Sequence, residues 1–175
     1  MFDYYELDEN TINGLNINGI LDKLECDYYR VISSFINFSV YLNETFIGIV
    51  NLNTESTDDF VFLDIYILKE FQGLGYGKEI TNYFMDKFKN KQELLIAQTK
   101  DDNIKANRVL NSLGNFIMKC KDSDYYLLGD LVKLTDDKTQ KLTNHINYSN
   151  GLINNQIALN EEKDYTLIKN NYNKI

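Results

Sequence analysis

The first 25 residues change from an extended pattern to helical spacing of their hydrophobic positions. Residues 2–7 predict a short strand, and the apolar residues between Asp8 and Leu24 roughly follow the period of an α-helix. Gly14 and Gly19 interrupt that period, and glycine weakens a helix interior. We therefore expect one short strand followed by two short helices.

A different pattern begins at Phe35. Residues 35–42 and 46–52 are rich in β-branched and aromatic side chains, and the polar residues 43–45 separate them. This arrangement predicts a hairpin with a short loop. After a polar connection, residues 60–68 form a strongly apolar run, which predicts a third strand covered on both faces.

Helical spacing returns after a glycine-rich turn at residues 73–77. Ile80, Phe84 and Phe88 recur at every fourth position, and Tyr83 falls in the same stripe. Charged and amide side chains occupy the other positions of this segment. The pattern predicts an amphipathic helix of about three to four turns.

The next part of the chain predicts another strand and another helix. Residues 94–98 form a short apolar run, which indicates a buried strand. Residues 104–113 predict a helix, because Asp101 or Asp102 can cap its N-terminus and Gly114 is placed to end it.

The runs 116–119 and 125–128 predict a closing pair of strands around Asp122-Ser123-Asp124. We interpret this acidic run as a turn. Its functional interpretation would be the attraction of a cationic substrate.

The pattern weakens after about residue 130. Leu134, Leu142 and Ile146 predict one helix face, and residues 165–168 predict an added strand. A tail of about this length is too small for a core of its own. We therefore expect residues 131–175 to pack on the preceding domain or on another subunit, and to contribute to a homodimer or to the substrate groove.

Composition excludes several classes of protein. The net charge of −8 argues against a DNA-binding protein and against an anionic-membrane binder, because both need a cationic surface. Two isolated cysteines and a single histidine, His145, argue against a disulfide framework, a metal site and a Ser-His-Asp triad. An acidic N-terminus and the lack of a long apolar run predict a cytoplasmic protein that is not bound to a membrane.

The unit that carries chemistry is a strand, a glycine-rich turn and a helix. The N-terminus of a helix presents unpaired N–H groups and a partial positive charge, which together favour an anion. Glycines at 73, 75 and 77 let the backbone approach that anion closely, and Lys78 adds a cation. The turn therefore predicts a phosphate site.

Three common phosphate-binding loops do not fit this turn. A Walker A loop needs four residues between its first glycine and the Gly-Lys pair, whereas three separate Gly73 from Gly77, and Glu79 follows Lys78. The dinucleotide fingerprint needs a glycine where Lys78 stands and a parallel strand–helix–strand unit. A kinase glycine loop lies between two strands, and no kinase catalytic motif follows.

Residues 65–77, Ile-Tyr-Ile-Leu-Lys-Glu-Phe-Gln-Gly-Leu-Gly-Tyr-Gly, resemble the signature of the GNAT superfamily of N-acetyltransferases. In that signature a strand leads into (Arg/Gln)-x-x-Gly-x-(Gly/Ala). Residues 41–48 are similar to the family hairpin, and residues 103–110 resemble its Asn-x-x-Ala helix. Residues 113–116 resemble the Leu-Gly-Phe that closes this helix, with Asn115 inserted. The resemblance extends over about residues 2 to 130.

The resemblance implies an α+β (mixed α/β) fold. Its twisted mixed sheet would be splayed between the strands at 60–68 and 94–98 and flanked by helices. We expect a catalytic domain at residues 1–130 and a C-terminal extension at 131–175.

The resemblance also implies acetyl-CoA as co-substrate, without a metal. The amides of residues 72–77 would hold the pyrophosphate, the strand residues would hold the pantetheine arm, and a backbone N–H near Ile67 would polarise the acetyl carbonyl. Asn103 would contact the cofactor from the other side. The predicted cofactor-binding residues are Tyr66, Ile67, Gln72, Gly73, Leu74, Gly75, Tyr76, Gly77, Lys78, Asn103 and Asn107.

Candidate catalytic residues follow from the same resemblance. Asp64 is the candidate base, because the family often carries a carboxylate there and burial would raise its pKa. The alternative is a polar residue satisfied at the open edge of the strand. The family often uses a tyrosine as acid, but Leu110 stands at that position, so Tyr125 and Tyr126 are the nearest alternatives.

The function implied is transfer of acetyl from acetyl-CoA to a primary amine by direct attack on the thioester. The acceptor could be a small molecule, a protein N-terminus, a lysine or aminoacyl-tRNA, and the negative charge disfavours tRNA. The alternative is a non-catalytic GNAT-like module that binds CoA or a protein partner. Leu110 favours this alternative, whereas the intact glycine turn and Asn103 favour catalysis.

Overall fold

The structure of the protein is a computed structural model, which describes residues 1–34, 36–54 and 59–151. Helices and strands alternate along these residues in the manner of a mixed α+β protein, which confirms the predicted fold class. The seven strands in these ranges are β1 Phe2–Glu6, β2 Ile36–Leu42, β3 Thr45–Asn53, β4 Phe60–Ile67, β5 Leu94–Lys100, β6 Asn115–Cys120 and β7 Ser123–Leu127. The α-helices there are α1 Glu9–Ile17, α2 Ile20–Lys23, α3 Tyr28–Ile32, α4 Tyr76–Phe88, α5 Ile104–Leu113 and α6 Asp136–Ser149.

The chain divides into two compact units, residues 1–86 and residues 87–175. The first unit contains an antiparallel sheet in the order β1-β2-β3-β4. The predicted hairpin is confirmed as β2 and β3, whose loop is two residues long. The splayed opening between β4 and β5 and the domain boundary at residue 130 stay predictions.

Helices α1 to α3 cover one face of the first sheet. Ile12, Leu21, Leu24 and Val31 pack there against Ile49 of β3 in a single apolar cluster. The interruption predicted at Gly19 is confirmed, because Gly19 adopts a positive φ of 68° and α2 begins immediately after it. This helical cluster fixes one face of β3 and β4 against the N-terminal segment.

The short helix α3 is absent from the sequence-based prediction. It is only five residues long, which is too short for a helical period to be detected. Its N-cap is Asp27, whose side chain accepts a hydrogen bond from the amide of Arg30. The cap fixes the backbone of Arg30, whose side chain reaches Asp64 of β4.

Strand β4 differs from its prediction at the C-terminal half. Phe60 to Leu63 are buried, whereas the four residues from Asp64 to Ile67 are partly exposed. The prediction that the whole strand is covered on both faces is therefore wrong. The strand therefore leaves the core at Asp64, Tyr66 and Ile67, which are the residues predicted to act in catalysis and cofactor binding.

The amphipathic helix after the glycine turn is confirmed as α4, with Ile80 and Phe84 in the core. The assignment of Tyr83 to the same stripe is wrong, because 39% of its surface is exposed. Its ring stacks on Tyr4 of β1, with 4.2 Å between ring centroids and 11° between planes. A partner on a distant strand, rather than the helix core, determines where this side chain lies.

The second unit contains an antiparallel sheet in the order β5-β7-β6. The closing strand pair is confirmed, but the turn between its strands is only Lys121 and Asp122. The interpretation of Asp122 to Asp124 as a turn is therefore wrong, because Ser123 and Asp124 already pair in β7. Lys121 adopts a positive φ of 53°, which lets two residues complete the reversal.

Helix α5 is confirmed, and so is its end at Gly114. Its N-cap is Asn103, whose Oδ1 accepts from the amide of Ala106 at 3.1 Å, so the prediction of Asp101 or Asp102 as the cap is wrong. A Cβ on Gly114 would lie 2.7 Å from the carbonyl oxygen of Leu127, so glycine is required there for close approach to β7.

Helix α6 confirms the predicted helix in the tail. Leu142 and Ile146 are buried, and Leu134 is buried just before the helix rather than on it. Asn147 contacts Cys120 of β6, and Lys121 donates to the carbonyl of Asn150. The described part of the tail, residues 131–151, therefore contacts β6 and the turn that follows it. The strand predicted at residues 165–168 lies outside the described residues, and the predicted homodimer stays a prediction.

Candidate active site

A glycine turn connects β4 to α4 in the first unit. After β4 the chain makes one 3₁₀ turn at Lys69–Phe71, and α4 begins at Tyr76. Gly73 and Gly75 have φ angles of 79° and 87°, a region that favours glycine. A Cβ at either position would meet nothing within 4 Å, so open space surrounds this backbone.

The first turn of α4 leaves its N-terminal amides directed out of the helix. The carbonyl of Gly75 accepts from the amides of Lys78 and Glu79, which starts the helical ladder. The amides before them have no partner within the helix, and the helix dipole adds partial positive charge. Gln72, Gly73, Leu74, Gly75 and Lys78 are exposed, and Tyr76 and Gly77 are half-buried. This turn can therefore bind an anion such as a pyrophosphate.

The amide of Ile67 points away from β3. Gly48 and Ile67 face each other across the two strands, and the amide of Leu68 donates to the carbonyl of Ile47 at 2.9 Å. Because backbone groups alternate along a strand, the N–H and C=O of Ile67 point to the opposite side. The Ile67 carbonyl accepts from Nε2 of Gln72 at 2.8 Å, so this side chain braces the end of β4.

Gly48 explains how close β3 and β4 lie at this point. A Cβ at Gly48 would overlap the carbonyl oxygen of Tyr66. Only glycine leaves room for the two backbones to pair here. The close pairing fixes the direction of the Ile67 amide.

Asp64, the predicted base, forms a bidentate ion pair with Arg30 of α3. Nε of Arg30 donates to Oδ2 at 2.9 Å, and Nη2 donates to Oδ1 at 3.0 Å. The side chain of Asp64 is 10% exposed and that of Arg30 is 40% exposed. Both carboxylate oxygens are therefore engaged by the guanidinium, and the catalytic role of Asp64 stays a prediction.

Asn51 lies directly opposite Asp64 in the β3–β4 register, and Asn37 lies opposite Asn51 in β2. Residues directly opposite in a sheet share one face. Asn51 is fully buried, and within the described part of the chain neither of its side-chain polar atoms has a hydrogen bond of normal geometry. Arg30, Asn51, Asp64 and Tyr66 are called the Asp64 cluster below.

Tyr66 and Cys26 lie at the apolar end of this cluster. Burial, and then the nearby charge of Asp64, raise the pKa of the Tyr66 phenol above its usual range. Burial also raises the pKa of the Cys26 thiol to about 11, while contact with Tyr66 acts in the opposite direction. Both groups are therefore uncharged at neutral pH, and Asp64 and Arg30 carry the charges of the cluster.

A second polar cluster lies between β7 and α5 in the other unit. The hydroxyl of Tyr126 donates to Oδ1 of Asn107 at 2.7 Å and accepts from Nδ2 of Asn111 at 3.3 Å. Nδ2 of Asn107 donates in turn to the carbonyls of Lys100 and Asp101. Tyr126, Asn107 and Asn111 are called the Tyr126 cluster below.

The Tyr126 hydroxyl is held as a neutral phenol. The residue is 2% exposed, and burial, followed by the charge of Asp124, raises the pKa of this phenol. The raised pKa keeps this phenol protonated at neutral pH. Its neighbour Tyr125 points to the other face of the strand, where its hydroxyl accepts from Asn150.

The remaining predicted residues of this unit have structural contacts. Asn103 caps α5, so its Oδ1 is engaged with the helix backbone. Leu110, at the position of the family tyrosine, is buried with 8% exposure. The cofactor contacts of Asn103 and Asn107 stay predictions.

Sequence reasoning missed Arg30, Asn51 and Asn111. Arg30 is 34 residues from its partner, and no local period links the two. Asn111 could have been found from its spacing, because it lies four residues after Asn107 on one helix face. Asn51 could have been noticed as an amide inside an apolar strand.

Two absences apply to the described ranges 1–34, 36–54 and 59–151. No group of three or more His, Cys, Asp and Glu side chains in these ranges could hold a metal ion. No helix in the same ranges is long and apolar enough to cross a membrane.

Comparison with models of known protein families identifies the family of this chain. Residues 22–115, more than half of the chain, match the model of the acetyltransferase (GNAT) domain. A search of curated proteins found no match.

Solved structures share the fold at low sequence identity. The N-acetyltransferase PseH of Campylobacter jejuni, in complex with acetyl coenzyme A, is 19% identical with a TM-score of 0.53, over 73% of this chain and 98% of that one. The ribosomal-protein-S18-alanine N-acetyltransferase of Escherichia coli is 13% identical with a TM-score of 0.55, over 74% and 96%. A Salmonella typhimurium acetyltransferase that modifies the N-terminal serine of ribosomal protein L7/L12 is 12% identical with a TM-score of 0.58, over 72% and 93%.

Proposed function

The chain belongs to the GNAT acetyltransferase family, and from this premise we propose that it transfers an acetyl group from acetyl-CoA to a primary amine by direct attack on the thioester. The family assignment and the mixed α+β fold confirm the resemblance found in the sequence. The acceptor amine and the direct attack are the parts that we propose.

The observation that carries the proposal is the glycine turn at residues 73–77. Open space surrounds the backbone of this turn, and the first amides of α4 are directed out of the helix beside it. Both features suit the pyrophosphate of CoA. The Ile67 amide lies at the end of the strand that leads into this turn and is directed away from β3. The group that anchors the cofactor and the N–H that polarises the acetyl carbonyl would thus both come from residues 67–77.

The proposed reaction begins with a neutral amine. Its nitrogen attacks the thioester carbon, so that an N–C bond forms and electrons move onto the carbonyl oxygen, where the Ile67 N–H stabilises the charge. The C–S bond then breaks, and its electrons leave on the CoA sulfur. The amine proton passes to Asp64, and the thiolate takes a proton from a tyrosine.

For the proton donor we propose Tyr126 rather than Tyr125. Tyr126 donates its proton to a single anchored acceptor, Asn107, and its raised pKa keeps that proton at neutral pH. Tyr125 accepts from Asn150 of the tail instead. Tyr126 of β7 would then replace the tyrosine that the family often has at the position of Leu110.

Binding of acetyl-CoA tests the glycine turn. At a hundred times its dissociation constant, acetyl-CoA should stabilise the fold by about 2.7 kcal/mol, which differential scanning fluorimetry detects as a raised Tm. We expect Gly75→Glu to abolish this shift, because the new carboxylate stands where the phosphates would bind.

The matched control is Gly151→Glu. Gly151 is also exposed, has a positive φ of 65° and meets nothing within 4 Å of its added Cβ, so the strain and the charge are comparable. This control should keep the shift. An equal shift in a folded Gly75→Glu variant would contradict the proposal.

A further inference from the structure

Side chains hold both ends of the glycine turn. At its upstream end, Nε2 of Gln72 donates to the carbonyl of Ile67 at 2.8 Å. At its downstream end, the ring of Tyr76, the first residue of α4, meets the ring of Phe2 of β1 edge-on, with 5.4 Å between centroids and 81° between planes. The backbone between these two contacts contains two glycines with positive φ and is surrounded by open space.

Strand β1 contacts α4 at two places. Besides the contact of Phe2 with Tyr76, the ring of Tyr4 stacks on Tyr83 at 4.2 Å and meets Phe84 edge-on at 5.6 Å. A helix rises about 1.5 Å per residue, so the contacts of Tyr4 lie about 10 Å further along the helix than Tyr76. Of the two places, the one at Phe2 is therefore at the end of α4 that presents amides without helical partners.

The backbone of the glycine turn has a reason to need such a contact. A glycine with positive φ has many conformations open to it, and the first turn of a helix frays readily. A pyrophosphate bound by backbone amides needs several N–H groups to point to one place at once. If these groups are ordered only when the anion arrives, the affinity falls, whereas a turn ordered beforehand binds more tightly.

We propose that Phe2 is a positioning residue for the cofactor, which acts through Tyr76 to hold the glycine turn and the first turn of α4 in the conformation that binds the pyrophosphate of acetyl-CoA. This inference rests on the proposed function, because it concerns the same turn. It gives β1, an element outside the family signature at residues 65–77, a part in cofactor affinity.

Titration calorimetry with acetyl-CoA tests the inference. Phe2 and Tyr76 are both half-buried, so Phe2→Ala should still fold. We expect this variant to raise the Kd of acetyl-CoA about threefold to tenfold, the range that follows from losing one aromatic pair. Phe2→Tyr keeps the ring and should restore the wild-type Kd.

Two control variants on the same strand separate positioning from general stability. Tyr4→Leu removes the stack on Tyr83, so it should lower the midpoint of urea unfolding at least as much as Phe2→Ala but keep the wild-type Kd. Tyr5→Ala changes a residue that is 59% exposed and contacts Tyr41 instead of α4, and it should also keep the wild-type Kd.

Hydrogen exchange, followed by NMR, measures the order of the turn directly. In the free protein the amides of Lys78 and Glu79 donate to the carbonyl of Gly75, which closes the first turn of α4. Local opening exposes such amides without global unfolding. We expect them to exchange about threefold to tenfold faster in Phe2→Ala than in the wild type and in Tyr4→Leu, and we expect saturating acetyl-CoA to restore their protection.

A wild-type Kd in Phe2→Ala would overturn the inference, and so would an equal loss of affinity in Phe2→Ala and Tyr4→Leu, because the second result would mean general destabilisation. If Phe2→Ala does not fold, Phe2→Leu replaces it, since leucine keeps most of the apolar volume but not the ring, and the same results support or overturn the inference. Failure of the wild-type protein to bind acetyl-CoA would instead refute the proposed function, and the inference would fall with it.

Discussion

The Asp64 cluster and the Tyr126 cluster differ in how completely their hydrogen bonds are satisfied. In the Tyr126 cluster the hydroxyl has a donor and an acceptor, and Asn107 is anchored to two backbone carbonyls. In the Asp64 cluster an ion pair lies beside a buried amide, Asn51, which interacts with the Cys26 thiol but has no hydrogen bond of normal geometry among the described residues. One cluster is neutral and complete, and the other is charged and incomplete.

This difference teaches what each cluster can do. A complete neutral network holds one proton in one place, which suits a group that donates it once per turnover. A charged pair beside unmet hydrogen-bonding groups gains by taking in a ligand, because new contacts replace a deficit. The first arrangement predicts a fixed proton donor, and the second predicts a charged group that can take part in proton transfer.

The largest effect that would separate the clusters is expected at Asp64. Asp64→Asn keeps the shape and one acceptor for Arg30 but cannot take a proton, so we expect kcat to fall about a hundredfold or more. The Kd of acetyl-CoA should change little, and the loss should shrink at high pH, where more of the amine is already neutral. Steady-state kinetics from pH 7 to 9.5 measures this.

Asp137→Asn is the control for this change, because Asp137 is an exposed helix residue that pairs with Lys141. It should leave the kinetics as in the wild type. Wild-type kcat at neutral pH in Asp64→Asn would show that Asp64 is not the base.

A smaller effect is expected at Tyr126. Tyr126→Phe removes the proton donor but not the ring, and we expect about a tenfold lower kcat with an unchanged KM for acetyl-CoA. Because burial raises the pKa of this phenol, its proton is lost only as the pH rises above 10, and this group should not limit the wild-type rate below that pH. Tyr148→Phe, an exposed helix position, is the control. An unchanged kcat in Tyr126→Phe would remove the cluster from the chemistry.

The smallest effect concerns stability, and here the two clusters should respond with opposite signs. Asn51→Leu removes two unpaired buried polar atoms, so we expect the free energy of unfolding to rise by about 1 kcal/mol. Asn107→Leu breaks three hydrogen bonds and should lower it by about the same amount or more. Urea unfolding of both variants measures this. Destabilisation by Asn51→Leu would mean that its amide is satisfied in solution, and the contrast between the clusters would weaken.

Local features of the fold could be predicted from the sequence. The hairpin, the helix after the glycine turn and the helix that Gly114 ends all follow from short-range periodicity and from glycine. The glycine turn at residues 73–77 was found in the same way, and its binding of acetyl-CoA stays a prediction.

Non-local features could not be predicted. Arg30 reaches Asp64 only after α3 packs on the sheet, and the sequence contains no period that links positions 30 and 64. The placement of Tyr83 in the apolar stripe of α4 was wrong for the same reason, because its ring partner Tyr4 is 79 residues away in the sequence. The surroundings of Asn51 are set by Asn37 and Asp64 on the neighbouring strands, which only the strand register brings together.

Gly48 has a consequence for anyone who wishes to alter this enzyme by directed evolution. Its missing side chain sets the spacing of β3 and β4, so libraries that vary this codon will contain mostly inactive members. Positions 30 and 51 already carry a Cβ, so substitutions there add no overlap of this kind, and such libraries should keep Gly48 constant.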